Sequence, residues 1–327
     1  MQSEPQYALN NTNQAAADVS TKEYSLDGIG NGERFVSEHG QDARYCYKLK
    51  VWYVWDTTRW ALRQDRLEEM AKLSAQMIEE TKHRKTSSSR RGIEEILYMA
   101  RSEPGMSIDL GNLNGDPMLF NCKNGTVNLK TGMLQQHARI DMLTMISPAS
   151  FDPKASCPRW DLFLDQIFGS NSDLISYIQR MSGYMLTGLT TEHCLFFMHG
   201  MGQNGKSVLA STLIHVFGDY AQRAPSELIM KPERASSGAA SPDMARLRGA
   251  RLVVTSELEE QQRFGEARIK DLTGGDRIVA RGLYKDPVEF DPTHKLLLYG
   301  NHKPTITGTD KGIWRRIRLI PFEVSIS

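Results

Sequence analysis

Along residues 62–82 the side chains Leu67, Met70, Ala71, Ser74, Met77 and Ile78 recur three and four positions apart. That spacing puts them on one face, so the sequence predicts an amphipathic helix over this stretch. A second helix is expected near 92–102, and the basic, serine-containing run from Lys82 to Arg91 reads as a solvated connection between the two. Further helices are expected at about 159–168 and 172–187, with another opening near Lys206. Short, unbroken apolar runs have a different meaning. Cys194–Met198, Leu252–Thr255 and Leu296–Tyr299 suit strands buried on both faces, as in a parallel sheet. Period-two patterns predict hairpins. Tyr45–Trp55 reads as a strand pair turning at Lys48-Leu49-Lys50, and Ile278, Ala280, Val288 and Phe290 alternate around Gly282–Pro287.

Turn residues divide these elements. Asn114-Gly115-Asp116-Pro117, Asn124-Gly125 and Thr131-Gly132 separate β-type runs, and Asn124-Gly125 before Thr126–Leu129 predicts a hairpin. Pro148, Asp152-Pro153 and Cys157-Pro158 read as an extended linker. The expected organisation is a polar mobile arm at 1–28, a smaller α+β accessory domain at 29–150, a linker at 151–158 and an α/β domain at 159–327.

Composition narrows the classes. The 327 residues suffice for two cores, and 40% hydrophobic with 24% charged content is that of a soluble globular chain. A net charge of +1 gives no overall attraction to polyanions, so any nucleic-acid contact has to come from local patches. Cys46, Cys122, Cys157 and Cys194 are widely spaced and form neither a zinc pattern nor a disulfide framework, which suits a reducing cytoplasm. No basic-then-apolar leader and no membrane-length apolar run is visible, so no membrane partner is expected.

The chemistry begins after the first apolar run. Gly200-Met201-Gly202-Gln203-Asn204-Gly205-Lys206-Ser207 completes G-x-x-x-x-G-K-[ST], and Val208 continues into the helix. Glycines at 200, 202 and 205 let successive backbone N–H groups turn toward phosphate oxygens, and the helix start adds its free N–H groups and positive dipole end. Gln203 and Asn204 lie in the same loop. Lys206 would reach the β- and γ-phosphates of ATP, and Ser207 would hold Mg²⁺. The run Arg251–Glu257 ends in a carboxylate, where a parallel sheet binds its ligands; Glu257 could hold Mg²⁺ through water or orient the attacking water. The run Lys295–Asn301 ends in an amide able to bond both γ-phosphate and water. Tyr284 and Lys285 at the hairpin tip could stack on a base and neutralise a phosphate, although such a tip taken alone is an ordinary solvated turn. Arg315 and Arg316, just before an apolar strand, are candidates for an arginine finger.

In this order the motifs resemble superfamily 3 helicases, specifically the helicase region of phage and plasmid primase-helicases with poxvirus-type relatives. The matching stretches include Gly32–Val36, Trp52–Asp56, Asn124–Leu129, Gly200–Ser207, Arg246–Glu257, Lys270–Lys285, Asn301–Pro304 and Trp314–Phe322. The resemblance implies an AAA+-like P-loop motor, assembled as a homo-hexamer around DNA in the host bacterial cytoplasm and moving 3′ to 5′. It makes Lys206 and Ser207 the Walker A pair, Glu257 the Walker B acid and Asn301 the sensor. Lys270 and the hairpin with Arg281, Tyr284 and Lys285 become the DNA-contacting element, and Arg315 or Arg316, with Arg316 preferred, the finger. Ser256 stands before Glu257 where many such helicases have a second acid, and Glu259 and Glu260 are offset. Such helicases usually continue into a C-terminal domain, so a C-terminal extension is expected to be lacking. No Asp-x-Asp pair and no zinc-ligand spacing supports priming, so a primase module would lie on another or longer polypeptide; a primase module or a polymerase is the further partner this implies. The expected function is ATP-driven replicative DNA unwinding. The alternative is a P-loop DNA-binding ATPase, for origin recognition or packaging, that does not unwind processively.

Overall fold

A computed structural model of the chain describes residues 23–230, 242–256, 263–283, 285–303 and 311–326. Most of the expected N-terminal arm, together with Glu257, Glu259, Glu260, Tyr284 and Pro304, lies outside the described residues. The chain divides into two compact units, one formed by the segments up to Arg44 and Gln64–Ser107, the other by Tyr45–Arg63 and Ile108 onward.

The first unit carries α1 (Gly28–His39), α2 (Gln64–Gln76), α3 (Thr81–Ser87) and α4 (Arg90–Ala100). Asp27 caps α1 by accepting from the Gly30 N–H at 2.9 Å, and Asn31 on α1 donates to the Ser87 hydroxyl on α3 at 2.9 Å in a buried contact. The helix expected over 62–82 is shorter than the pattern suggested. It ends at Gln76 because Glu80 starts a new helix, its carboxylate accepting from the Lys82 and His83 N–H groups. The basic run is therefore not a connection. Lys82–Ser87 is helical, and only Ser88-Ser89 links it to α4, with Ser89 accepting from Gly92 N–H at 3.2 Å. The periodicity hid this break because α3 buries only Ser87.

The second unit begins with aromatic strands. β1 (Ala43–Cys46), which starts in the first unit, and β2 (Val51–Trp55) flank the expected turn, and β3 (Trp60–Ala61) pairs antiparallel with β2. β4 (Leu119–Cys122), β5 (Gly125–Asn128) and β6 (Met133–Gln135) form a meander that includes the expected Asn124-Gly125 hairpin. Next come α5 (Pro158–Phe168) and α6 (Ser172–Leu186), matching the two predicted helices. The central sheet follows: β7 (Leu195–His199), α7 (Lys206–Phe217), β8 (Ala221–Arg223), the short α8 (Pro242–Ala245), β9 (Leu252–Ser256) and α9 (Glu266–Thr273). The hairpin β10 (Ile278–Ala280) and β11 (Val288–Phe290) precedes β12 (Lys295–Gly300), and α10 (Lys311–Trp314) leads into β13 (Ile317–Pro321).

The sheet is α/β in character, as expected. Its five strands run in the order β13-β7-β12-β9-β8, every neighbouring pair parallel. Strand alternation sends Phe196, Met198, Val254 and Leu297 to one core, with α5, α6 and α7, and Phe197, Val253, Leu296 and Leu298 to the other, with α9 and the hairpin. Covering both faces explains why these strands read as continuous apolar runs. Residues of the β4–β5 hairpin join the first core: Phe120 stacks on Tyr220 with ring centroids 4.6 Å apart. No helix among the described residues is long and apolar enough to cross a membrane.

Candidate functional site

β7 feeds directly into the Gly200–Ser207 loop, which opens α7. Backbone shape dictates two of its glycines. Gly200 has φ +150°, and a Cβ there would stand 2.1 Å from the Phe322 carbonyl oxygen; Gly205 has φ +87°, and a Cβ would stand 2.5 Å from Ile167 Cγ2. Gly202 departs from the sequence expectation. It is not among the glycines with positive φ, and the third left-handed position of the curl is taken by Gln203 at φ 59°. A Cβ on Gly202 would meet no atom within 4 Å, so this glycine leaves open space rather than allowing a bend.

Asn204 braces the loop. Its buried amide donates to the Phe322 carbonyl at 3.1 Å and to Met201 O, and its Oδ1 accepts from Lys206 Nζ at 2.9 Å. Lys206 is 5% exposed, its ammonium also donating to Gly200 O at 2.6 Å and Met201 O at 3.1 Å. Burial pushes its pKa below the usual lysine range. Ser207 and Val208, one step further along α7, are exposed.

Parallel register sets the other wall. Gly300 pairs with His199, so Asn301 emerges beside Gly200, and a cleft of about 420 Å³ is lined by Gly202–Val208 together with Tyr299, Gly300, Asn301 and His302. That volume lies in the range of small-molecule sites. On the next strand Ser256 pairs with Tyr299, so β9 ends at the same edge just before Glu257. Tyr299 and His302 were missed from sequence. Their signal was adjacency to Asn301 at a strand tip, which the apolar run obscured.

The remaining sequence candidates lie away from this cleft. Ile317 pairs with Leu195 at the start of β7, which puts Arg315 and Arg316 at the opposite edge of the sheet from the loop. Arg316 is half-buried and donates from Nε to Thr273 Oγ1 at 3.1 Å and from Nη1 to Gly312 O at 3.0 Å, whereas Arg315 is exposed. Arg281 and Lys285 meet at the hairpin tip, Arg281 Nε donating to Lys285 O at 3.2 Å. Lys270 sits in the last turn of α9.

Two buried cations beside the N-terminal ends of sheet strands went unnoticed. Arg251 donates to Leu186 O and to Leu119 O, and its guanidinium lies 4.8 Å from the Tyr220 ring centroid. Lys295 Nζ donates to Thr187 O and to Thr293 O at 3.1 Å, 5.2 Å from the Tyr184 ring centroid. Burial, reinforced by Arg251, pushes the Lys295 pKa down to about 6. Lys295 opens β12 and Arg251 directly precedes β9, so each looked like an ordinary solvated strand end.

A parallel α/β sheet with an N-terminal accessory part and a glycine-rich loop at its C-terminal edge defines the class. A family model described as D5 N terminal like matches residues 32–169, and one described as a family of unknown function (DUF5906) matches 198–316. The chain is 31% identical over 217 residues to the protein named "Putative helicase" in Acanthamoeba polyphaga mimivirus, covering 65% of this chain and 22% of that protein. It is 34% identical over 167 residues to one of the same name in Invertebrate iridescent virus 6, covering 49% and 17%. It therefore spans less than a quarter of the length of these curated relatives. Among solved structures it resembles the NrS-1 C terminal region, with a TM-score of 0.53 and 11% identity over 87% of this chain and 58% of that one, a likeness of fold. The chain is thus similar over its N-terminal part to the D5 N terminal like family and over longer stretches to viral proteins that carry a helicase name.

Proposed function

We propose that the chain is the motor portion of an ATP-driven replicative DNA helicase, with residues 159–327 as the motor and 29–150 as its accessory domain. The observation that carries this reading is the cleft joining Gly202–Val208 to Asn301 on the adjacent parallel strand. Its features suit a nucleotide. Gly202 leaves open space, the first N–H groups of α7 face the loop, and the Ser207 hydroxyl is exposed beside a buried lysine. In the proposed reaction water attacks the γ-phosphorus as the bond to the β–γ bridging oxygen breaks. Lys206 would exchange its carbonyl partners for phosphate oxygens, Ser207 and Glu257 would hold Mg²⁺, and Asn301 would orient the γ-phosphate and water. Bound Mg²⁺ supplies charge neutralisation on the phosphates.

The arginine finger would come from a neighbouring subunit of a homo-hexamer, since Arg315 and Arg316 directly precede the edge strand, at the end away from the cleft of their own chain. Arg316 is fastened within its own subunit, so Arg315 becomes the better candidate. Strand displacement on a forked duplex, read alongside DNA-stimulated ATP hydrolysis, tests the proposal. ATP-dependent displacement is expected. DNA-stimulated hydrolysis with no displacement would replace it by a non-unwinding DNA-binding ATPase, and hydrolysis indifferent to DNA would overturn both.

A further inference from the structure

A second concave surface lies apart from the nucleotide cleft. The β1–β2 turn, α8 with the residues after it, and the tip of the β10–β11 hairpin enclose a groove of about 600 Å³. Five cations line it, Lys48, Lys50, Arg246, Arg248 and Lys285, against one carboxylate, Asp286. In a chain whose net charge is only +1, that is a marked local excess. Asp286 is already engaged, 2.7 Å from Lys50 Nζ, and the hydrogen bond and charge of Lys50, with lesser help from Lys48 and Arg281, hold its carboxyl below the usual range. Lys48 acts on Asp286 only at a distance, and Arg248 and Lys285 form no ion pair among the described residues.

The backbone also favours a ligand-binding role. Lys50 sits at φ 57°, a left-handed conformation that glycine or asparagine takes more readily, and strain of this kind concentrates at functional sites. Beside it Tyr47 is 47% exposed, its ring edge-on to Tyr45 with centroids 4.8 Å apart. Cations along a groove, with an exposed aromatic side chain on the residue next to Lys48 in the chain, match a single strand, whose phosphates are neutralised while its bases stack.

We propose that this groove carries the phosphodiester backbone of single-stranded DNA, and that Lys48, Arg246 and Arg248 hold it jointly with the hairpin. The inference rests on the reading of the hairpin as a DNA-contacting element and extends it to a turn more than two hundred residues earlier in the chain. Lys50 and Asp286 pin the two walls together. Asp286 limits affinity, because its charge opposes the incoming phosphates.

The test is a titration of the full chain with a fluorescein-labelled oligothymidylate over a series of KCl concentrations. Lys48→Ala and Arg248→Ala should each flatten the plot of log affinity against log salt by about 0.7, the value for one lost single-strand phosphate contact. Lys285→Ala should do the same, and Asp286→Asn should tighten binding. Charge-retaining Lys48→Arg and Arg248→Lys should restore the slope. Flattening by Lys285→Ala alone would overturn the groove and leave the hairpin reading standing. Unchanged slopes in all three would overturn both, as would failure of the wild-type chain to bind. A second measurement does not depend on variant folding. Photocrosslinking of a bromodeoxyuridine oligonucleotide to the wild-type chain should label the peptide containing Tyr47. Labelling of the hairpin without that peptide would overturn the proposal.

Discussion

Lys206 and Lys295 are almost equally buried, 5% and 2% exposed, at opposite edges of one parallel sheet. Their surroundings differ in kind. Lys206 is held by carbonyls of a loop that also presents open space over Gly202, an exposed hydroxyl and a helix N-terminus. Lys295 is held by the Thr187 and Thr293 carbonyls and the Tyr184 ring, and burial next to Arg251 favours its neutral form. Burial of a cation does not by itself make a site. A site needs a cleft for a counter-charge to enter; Lys206 lines one, whereas among the described residues Lys295 is enclosed by carbonyls and a ring.

The strongest way to break this contrast is to find catalysis at the other edge. Arg315→Ala should lower ATP hydrolysis by about 10³-fold or more if Arg315 acts on a neighbour's nucleotide. Arg316→Ala should instead cost stability, about 1–2 kcal/mol for its bonds to Thr273 and Gly312. Mixed assemblies of Arg315→Ala and Lys206→Ala chains should regain activity, because some interfaces then pair an intact loop with an intact arginine. Rescue with Arg316→Ala in place of Arg315→Ala would reverse the assignment, and no rescue in assemblies shown to be mixed would remove the finger from this edge. Lys206→Ala alone should lower hydrolysis by about 10²–10³-fold, the scale of removing one charge-stabilising donor. Near-normal turnover would end the phosphate-loop reading.

The asymmetry also separates what the sequence disclosed from what it concealed. The loop at 200–207, the apolar strands and the 278–290 hairpin were legible because their signals are local: a motif, a run on one strand, an alternation. The end of α2 at Gln76 was not, because Glu80 caps the next helix through its side chain while the apolar spacing continues to Ile78. Arg251 and Lys295 were also illegible. Their partners are carbonyls at 119, 186 and 187, supplied by segments distant in sequence, and no composition rule marks a strand-opening cation as buried. The basic groove was half legible, since the hairpin tip was noticed and the facing Lys48–Lys50 turn was read only as a turn.

Lys295 supplies the next effect in size, and it acts on stability. Its folded pKa of about 6 lies below the ordinary lysine value of 10.5, so between those pH values the unfolded chain binds a proton that the folded chain does not. Stability should therefore rise with pH from about 6 upward and be least where Lys295 is protonated in both states. Buried His294, pushed by burial to about 4, adds a further loss as pH falls from about 6.5 toward that value. Lys295→Met should raise the thermal midpoint at neutral pH by roughly 2–4 °C per kcal/mol recovered and flatten its dependence above pH 6, with hydrolysis retained. A midpoint that falls, or a pH slope like that of the parent chain, would show that the lysine is a stabilising cation after all.

The smallest effect divides the loop itself. Gly200→Ala and Gly202→Ala add the same methyl group six atoms apart along one backbone, yet the first meets the Phe322 carbonyl and the second meets nothing. Gly200→Ala should therefore destabilise the fold by about 1–3 kcal/mol, because its φ of +150° is unsuited to alanine and the Phe322 backbone just after β13 must shift. Gly202→Ala should change stability by less than about 1 kcal/mol, and in the favourable direction if the restricted unfolded chain dominates. Its consequence belongs to binding, since the methyl would project where Gly202 lines the cleft. Calorimetry should then show a weakened affinity for ATP with an unchanged unfolding midpoint. Equal ATP affinity in Gly202→Ala would mean that the open space over this glycine is not where the phosphates lie, and the cleft between the loop and Asn301 would lose its assigned ligand.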